Sequence, residues 1–239
     1  MPRKKTIEYS IILPTYNEGK NIESVVNEIE TFFLAKKKGF EVIVVDDSST
    51  DGTDTVVRKM QKKYANIILL DHGPKEGIGK ALARGYNAGT GNWLLSMDAD
   101  QAFKITEIDR LLHYAQDYDL ISGSKYLKGS IYHKESFGAL VKSKISEFGN
   151  AYIALVTRVP FKDFSMNFRL MRKSVWKNIH PEDNENFFLV EMIVNAHRKG
   201  YRLKEVGVTL LPRGYGISKT RVWKQIVKFF TKATRLAFA

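Results

Sequence analysis

Residues 41–52 read Glu41-Val42-Ile43-Val44-Val45-Asp46-Asp47-Ser48-Ser49-Thr50-Asp51-Gly52, an apolar run followed by a polar loop. The run at 41–45 predicts a buried strand, because short stretches rich in β-branched residues are typical of strands. The amphipathic residues 53–64 predict a helix directly after the loop. Strand, polar loop and helix in this order form the unit of parallel α/β sheets. We therefore expect a mostly parallel sheet flanked by helices.

The same unit extends in both directions along the 239-residue chain. Further strands are predicted at 9–13, 67–70, 93–97 and 120–122, and further helices at 19–36, 78–88 and 105–115. From residue 128 the pattern changes to a helix at 137–156, an extended piece at 164–171, a helix at 186–199 and a strand at 202–211. We expect one domain at 1–220, with halves of about 1–127 and 128–220, followed by a separate basic helix at 221–239.

Polar clusters follow three of the predicted strands. Residues 14–18 follow the first strand, 46–52 the second, and Asp98-Ala99-Asp100 the fourth. Because the carboxyl ends of parallel strands meet at one edge of a sheet, and ligands of α/β proteins bind there, these clusters predict a binding site.

The Asp98 and Asp100 carboxylates would repel each other at a strand end unless a cation compensates them. Mg²⁺ or Mn²⁺ takes oxygen ligands and bridges carboxylates to phosphates, so this pair predicts a site for a metal-bound diphosphate. Taken alone, the pair also fits a turn with two solvated carboxylates.

Two other clusters fit a nucleotide. Asp46 and Asp47 can accept hydrogen bonds from a base and a ribose, as acidic residues do in dinucleotide-binding folds, although this loop also fits a helix cap formed by Ser48, Ser49 or Asp51. The glycines in Lys75-Glu76-Gly77-Ile78-Gly79-Lys80 allow close backbone approach before a helix, and Lys75 can meet a phosphate.

Charge indicates an anionic partner. Lys and Arg number 38 against 26 Asp and Glu, which gives a formal charge of +12. A nucleic-acid-binding protein is a remote alternative, because no zinc, homeodomain or aromatic-basic RNA motif is present, and we expect no nucleic acid partner. There is no cysteine, which excludes disulfides and thiolate metal sites. The polar stretch 1–8 resembles neither a signal peptide nor an anchor, which favours the cytoplasm.

Six of the basic residues, and no acidic one, lie in the last 21 positions. Apolar residues of 221–239 fall largely on one helical face, whereas Lys224, Lys228 and Lys232 recur on the other. This pattern predicts an interfacial helix on an anionic membrane surface. The alternative is an amphipathic helix packed on the domain.

Taken together, the motifs resemble those of glycosyltransferase family 2, whose members share the GT-A fold. The matching segments are Pro14-Thr15-Tyr16-Asn17-Glu18, residues 44–53 and Met97-Asp98-Ala99-Asp100. In the second half, residues 163–169 (Asp-Phe-Ser-Met-Asn-Phe-Arg) and 213–219 (Arg-Gly-Tyr-Gly-Ile-Ser-Lys) are similar to segments of dolichyl-phosphate mannose synthases and related polyprenyl-phosphate glycosyltransferases.

The resemblance implies an inverting, metal-dependent transfer from a nucleotide-sugar, such as GDP-mannose or a UDP-sugar, to a polyprenyl or dolichyl phosphate. Residues 1–127 would be the donor half and 128–220 the acceptor half. The implied nucleotide contacts are Pro14, Tyr16, Glu18 and Asp47, beside Asp46 and Lys75. Asp98 and Asp100 would hold Mg²⁺ or Mn²⁺ and the diphosphate, and the implied catalytic residues are Asp100, Arg213 and Lys219. The implied acceptor-phosphate contacts are Lys125, Lys142 and Ser146.

The chain departs from the family pattern at several positions. Gln101 lies one position earlier than the family's glutamine, Lys125 and Lys142 stand for arginines, and Asn167 stands for a glycine. Lysine neutralises a phosphate but does not grip it bidentately, so a different acceptor geometry is expected.

A lipid monophosphate needs no general base, because its second pKa of about 6 leaves it charged near neutral pH. A soluble saccharide or protein acceptor is the alternative, and its hydroxyl would require a carboxylate base such as Glu191. The lipid acceptor implies a peripheral protein on the cytoplasmic face of a membrane, where a membrane-protein partner is a further expectation.

Overall fold

The computed structural model describes residues 6–71, 74–132, 137–211 and 222–238. The strands are β1 (Tyr9–Thr15), β2 (Phe40–Asp46), β3 (Ile67–Asp71), β4 (Trp93–Ser96), β5 (Leu120–Ser124), β6 (Ile131–Tyr132), β7 (Arg169–Arg172), β8 (Leu203–Gly207) and β9 (Thr209–Leu210). The helices are α1 (Ile22–Ala35), α2 (Thr53–Lys63), α3 (Ile78–Ala88), α4 (Ile108–Leu112), α5 (Phe137–Thr157), α6 (Lys173–Trp176), α7 (Phe188–Arg198) and α8 (Val222–Phe238). A 3₁₀ turn at Ile105–Glu107 precedes α4.

The main sheet has seven strands in the order β3-β2-β1-β4-β7-β5-β8. All neighbours are parallel except β7, which runs antiparallel to both β4 and β5. The mostly parallel α/β sheet predicted from the sequence is therefore confirmed. The antiparallel β7 comes from the extended piece predicted at 164–171, in which the strand begins only at Arg169.

Alternate residues of the central strands face two apolar layers. Ile11 and Leu13 pack on the α1 side, whereas Ile12 packs against Leu82 and Tyr86 of α3 on the other. Because both faces are covered, these strands are apolar at nearly every position, as is usual for parallel sheets. Two polar side chains at the amino ends of these strands are buried as a pair, since Ser10 donates its hydroxyl to Glu41 (2.6 Å).

Gly85 permits α3 to pack closely on the sheet. A Cβ atom at this position would lie 2.4 Å from Cγ2 of Ile12 and 3.1 Å from Cγ2 of Val45. We expect Gly85→Ala to lower the free energy of unfolding by about 1–3 kcal/mol through overpacking, measured by urea denaturation. Gly149→Ala is the control, because nothing lies within 4 Å of its Cβ in α5. Equal stability of the two variants would contradict this packing.

Helix α8 packs on the domain. Ala233 is fully buried, the Phe229 ring lies 5.3 Å from that of Phe187, and the Phe230 ring lies 4.5 Å from that of Tyr152. These contacts match the alternative in which this part of the helix packs on the domain, and the predicted contact of 221–239 with a membrane stays a prediction. Among the described residues, no helix is long and apolar enough to cross a bilayer.

Candidate active site at the carboxyl edge of the sheet

The loops after β1 and β2 are fastened to each other. Asn17 donates its N–H to Oγ of Ser49 (2.8 Å) and accepts the N–H of Thr50 at its side-chain oxygen (2.8 Å). Gly19 donates its N–H to Asp51 (2.9 Å). Two of the three polar clusters predicted from the sequence thus form one surface, because their loops exchange hydrogen bonds between residues more than 30 positions apart.

The buried Asp46 side chain forms hydrogen bonds within this pair of loops. Its side chain accepts hydrogen bonds from the Thr15 hydroxyl (3.1 Å) and from the N–H of Ser49 (3.1 Å), and the residue is only 2% exposed. Asp46 thus has a structural role in the loop pair, and its predicted nucleotide contact stays a prediction. Asp51 accepts the N–H of Thr53, the first residue of α2 (3.1 Å), but the N-cap position is occupied by Gly52 and not by Ser48, Ser49 or Asp51, as the capping alternative predicted.

Asp47 holds the turn between β3 and α3. Its two carboxylate oxygens accept the N–H groups of Glu76 (2.8 Å) and Gly77 (3.0 Å). The turn carries Lys75, whose Nζ lies 3.4 Å from the centre of the Tyr16 ring. The predicted residues Asp47, Lys75 and Tyr16 therefore lie close together. Asp47 contributes by binding the backbone of the turn that carries Lys75.

Gly79, the second residue of α3, makes the close backbone approach that was predicted for the glycines of this segment, and its partner is the protein itself. Gly79 donates its N–H to the carbonyl of Asn184 (2.8 Å), and a Cβ on Gly79 would lie 2.2 Å from the carbonyl oxygen of Asp183. The lack of a side chain at Gly79 thus allows residues 183–184 to pack directly against α3. This contact could not be read from the motif, because it joins positions more than 100 residues apart.

The Asp98 and Asp100 carboxylates follow β4, the strand beside β1. Asp100 is 5% exposed, and its Oδ1 accepts the N–H of Ala102 (3.1 Å). Asp98 Oδ1 accepts a hydrogen bond from Nδ2 of Asn167 (2.9 Å). Gln101 has a positive φ of 59°, so the backbone turns sharply just after the pair. Both carboxylates are thereby held in place by the residues around them.

The loop after this pair touches the end of the second half. The Phe103 ring stacks on Phe168 at 4.7 Å, and Leu211 donates its N–H to the carbonyl of Ala102 (2.9 Å). Leu211 directly precedes residues 212–221. Arg213 and Lys219, predicted to be catalytic, lie outside the described residues, but the chain reaches that segment from beside the Asp98–Asp100 loop.

On the acceptor side, Lys125 lies against Asp163 and Ser165. Its Nζ is 3.3 Å from Oγ of Ser165 and 3.9 Å from Oδ2 of Asp163, and its N–H donates to the same Asp163 oxygen (3.2 Å). Asp163 is fully buried. This carboxylate, to which no role was assigned from the sequence, therefore orients the predicted acceptor lysine.

Helix α5 is tied to the same loop. Asn150 donates from Nδ2 to the carbonyl of Ser146 (2.8 Å) and accepts the N–H of Phe164 at Oδ1 (2.8 Å). Ser146 and Lys125, both predicted to bind the acceptor phosphate, are thus fixed to one loop. The side chain of Lys142, the third predicted contact, lies outside the described residues.

Arg169 fixes the loop that connects these groups. Its guanidinium is fully buried and donates to the carbonyls of Met166 (2.9 Å), Leu189 (2.6 Å) and Phe164 (2.7 Å). Burial lowers the pKa of this guanidinium to about 10, so it remains charged at neutral pH, opposite the Asp163 carboxylate. The segment was singled out in the sequence, but nothing in its composition reveals this burial.

Glu191, the base required by the soluble-acceptor alternative, faces a turn. Its Oε2 accepts the N–H groups of Glu182 (2.6 Å) and Asp183 (2.8 Å). Burial raises the pKa of this carboxyl group, and the two hydrogen bonds oppose that rise. Because this oxygen is engaged by the backbone, Glu191 acts in the structure as a turn-stabilising residue.

The residues at the edge fit a divalent cation that is shared with a diphosphate. Within the described ranges, no group of three or more His, Cys, Asp or Glu side chains could hold a metal on its own. Asp98 and Asp100 would supply two hard oxygen ligands, which is the usual protein contribution where Mg²⁺ or Mn²⁺ is also bound by phosphates and water.

Solved structures with the same architecture include glucosyl-3-phosphoglycerate synthase of Mycobacterium tuberculosis in complex with Mn²⁺, UDP and phosphoglyceric acid. It has a TM-score of 0.71 at 16% identity, covering 96% of this chain and 77% of that chain. Mannosyl-3-phosphoglycerate synthase of Rubrobacter xylanophilus has a TM-score of 0.66 at 15% identity, covering 96% and 73%. At this identity the similarity establishes the GT-A fold alone.

Curated relatives are similar over most of this chain. Polyprenol monophosphomannose synthase of Mycolicibacterium smegmatis is 28% identical, covering 91% of this chain and 82% of the relative. Dolichol-phosphate mannosyltransferase of Pyrococcus furiosus is 28% identical, covering 96% and 64%. Glycosyltransferase AglD of Haloferax volcanii is 27% identical, covering 87% and 34%. The chain thus spans about a third of the Haloferax protein and 64% of the Pyrococcus protein.

The family is identified by a sequence model. The model described as glycosyl transferase family 2 matches residues 10–179, a span that includes the loops after β1, β2 and β4 and the Asp163–Arg169 segment. The chain is a member of glycosyl transferase family 2.

Proposed function

We propose that this glycosyltransferase moves a sugar from a nucleotide-sugar to a polyprenyl or dolichyl phosphate, with inversion at the anomeric carbon. The observation that carries the proposal is the position of Lys125. This lysine is ordered by Asp163 and Ser165 on the loop whose Asn167 contacts Asp98. The loop at residues 163–167 thus contacts both a lysine suited to an acceptor phosphate and a carboxylate suited to the divalent cation of a metal-bound diphosphate.

The donor would lie across the loops of β1 to β4. Pro14, Tyr16, Glu18 and the turn held by Asp47 border the nucleotide, and Lys75 supplies positive charge. Asp98 and Asp100 would hold Mg²⁺ or Mn²⁺, which neutralises charge on the leaving diphosphate when bound. Arg213 and Lys219 are proposed to add charge there, since the chain enters their segment beside Ala102.

The acceptor phosphate would be oriented by Lys125, Ser146 and Lys142. Since it is already ionised near neutral pH, these residues only position it and reduce charge repulsion. Glu191 is engaged by two backbone N–H groups, which agrees with a reaction that needs no carboxylate base. Single displacement then inverts the anomeric configuration, and a retained configuration in the product would contradict this mechanism.

The reaction is proposed to take place at the cytoplasmic face of a membrane. Three apolar side chains at seven-residue spacing on α5, namely Val141, Phe148 and Leu155, are exposed at 41%, 68% and 76%. Residues seven apart lie on one side of a helix, so they form an apolar stripe near Lys144. This stripe supports contact with an anionic lipid surface.

Lys125→Met tests the acceptor assignment. We expect the KM for polyprenyl phosphate to rise about tenfold or more, because a charge-assisted contact to the phosphate is lost. The affinity for the nucleotide, measured by calorimetry, should not change. Lys128→Met is the control, because Lys128 is an exposed lysine nearby. Equal KM values for the two variants would contradict a role of Lys125 in acceptor binding.

An acceptor competition separates the proposal from a soluble-acceptor enzyme. The chain is incubated with a labelled nucleotide-sugar and equal amounts of polyprenyl phosphate, unphosphorylated polyprenol and soluble saccharides. We expect label only in the phosphorylated lipid, because the alcohol lacks an ionised nucleophile. Label in a saccharide would refute the lipid acceptor while leaving the family unchanged.

A further inference from the structure

Asn167 connects the two sides of the site through one side chain. Its Nδ2 donates to Oδ1 of Asp98 (2.9 Å), and the residue is only 3% exposed. Its Oδ1 is buried and has no hydrogen-bond partner within the described part of the chain. Asn167 is not among the residues with positive φ, so the backbone there does not require a glycine.

The surrounding structure keeps this side chain from moving away. The neighbouring Phe168 ring stacks on Phe103, and Arg169 holds the carbonyls of Phe164 and Met166. A buried acceptor without a partner costs about 1–3 kcal/mol, so the fold retains an unfavourable group at the Asp98 carboxylate. Such groups are expected where a ligand supplies the missing partner.

We propose that Asn167 is a positioning residue of the metal–diphosphate site. Its Nδ2 fixes the orientation of Asp98, and its carbonyl oxygen gains a partner when the divalent cation and the nucleoside diphosphate bind. Amide oxygens suit Mg²⁺, Mn²⁺ and the water molecules that these ions carry. Residues that orient metal-binding carboxylates commonly change metal affinity about 10- to 100-fold when replaced. The inference rests on the proposed function, because it assumes metal-dependent donor binding.

The test is Mn²⁺ binding in the presence of UDP or GDP, measured by electron paramagnetic resonance without any turnover. We expect Asn167→Ala to weaken Mn²⁺ binding about 10-fold or more. Asn66→Ala is the matched control, because Asn66 also donates its Nδ2 to a carboxylate, that of Glu30 (2.8 Å), beside α1. The control should bind Mn²⁺ as the unchanged chain does.

Asn167→Asp gives a second readout, the Mn²⁺-induced rise in Tm, which would not change if Asn167 had only a structural role. It is isosteric but places a third carboxylate against Asp98, so we expect a lower Tm without metal and a larger Mn²⁺-induced rise in Tm than in the unchanged chain. Asn167→Ala should show a smaller rise. Equal Mn²⁺ effects in all three proteins would overturn the inference alone. Absence of Mn²⁺-dependent UDP or GDP binding by the unchanged chain would refute the proposed function as well.

Discussion

Asp100→Asn is expected to lower sugar transfer by about 100- to 1000-fold without unfolding the protein. The substitution removes the negative charge that would hold the divalent cation against the leaving diphosphate, and electrostatic groups of this kind contribute that much to kcat. Asparagine retains an oxygen that can accept the N–H of Ala102, so the loop should survive. The rate is measured at saturating donor, and Tm reports the fold.

Asp109→Asn is the matched control for this prediction. Asp109 lies on α4, and its carboxylate pairs with Lys36 at the surface (2.6 Å). Exposed ion pairs contribute about 1 kcal/mol or less to stability, so this variant should transfer sugar at the normal rate. Full activity of Asp100→Asn would contradict a metal-binding role of this carboxylate and would leave it the structural role of holding the turn at Ala102.

Arg169→Met is expected to lower the free energy of unfolding by about 3–5 kcal/mol, because buried groups that pair with the guanidinium lose their charged partner. Three carbonyls lose their donor, and the charge opposite Asp163 disappears. For a chain of this size the loss corresponds to a fall in Tm of about 6–20 °C. Thermal unfolding followed by circular dichroism measures it.

Arg58→Met provides the comparison for Arg169→Met. Arg58 is an exposed arginine of α2 that pairs with Asp71 (2.8 Å), so its loss should cost about 1 kcal/mol or less. Arg169→Lys should also be destabilising, since a lysine cannot reproduce the fork that reaches three carbonyls. A Tm for Arg169→Met close to that of Arg58→Met would refute the structural role of the buried guanidinium.

The fold of the first half was predictable because local periodicity decides it. Residues 42–45 of β2 are apolar on both faces of the sheet, and the amphipathic helices between the strands each have one apolar side. The position of Asp98 and Asp100 followed from the same reasoning, since a polar pair after a buried strand must lie at the carboxyl edge. The start of β7 was less predictable, because its residues are buried by elements distant in sequence.

The roles of individual side chains depended on contacts that local pattern does not contain. Asp46 and Asp47 are adjacent, yet one holds its own loop and the other holds the turn before α3. The contact between Asn167 and Asp98 joins positions 69 residues apart. The apolar face of 221–239 fitted both a membrane and a protein surface, and the packing of Phe229, Phe230 and Ala233 on the domain was not visible in that pattern.

The decisive measurement is transfer of radiolabelled sugar from a panel of UDP- and GDP-sugars into an organic-extractable polyprenyl phosphate fraction, with Mg²⁺ or Mn²⁺ and with EDTA. We predict label in the lipid phase from one donor class, abolished by EDTA and restored by excess metal. Absence of lipid label with every donor, together with donor hydrolysis or transfer to a soluble sugar, would contradict the lipid-phosphate acceptor. Lipid label that is unaffected by EDTA would contradict the metal site at Asp98 and Asp100.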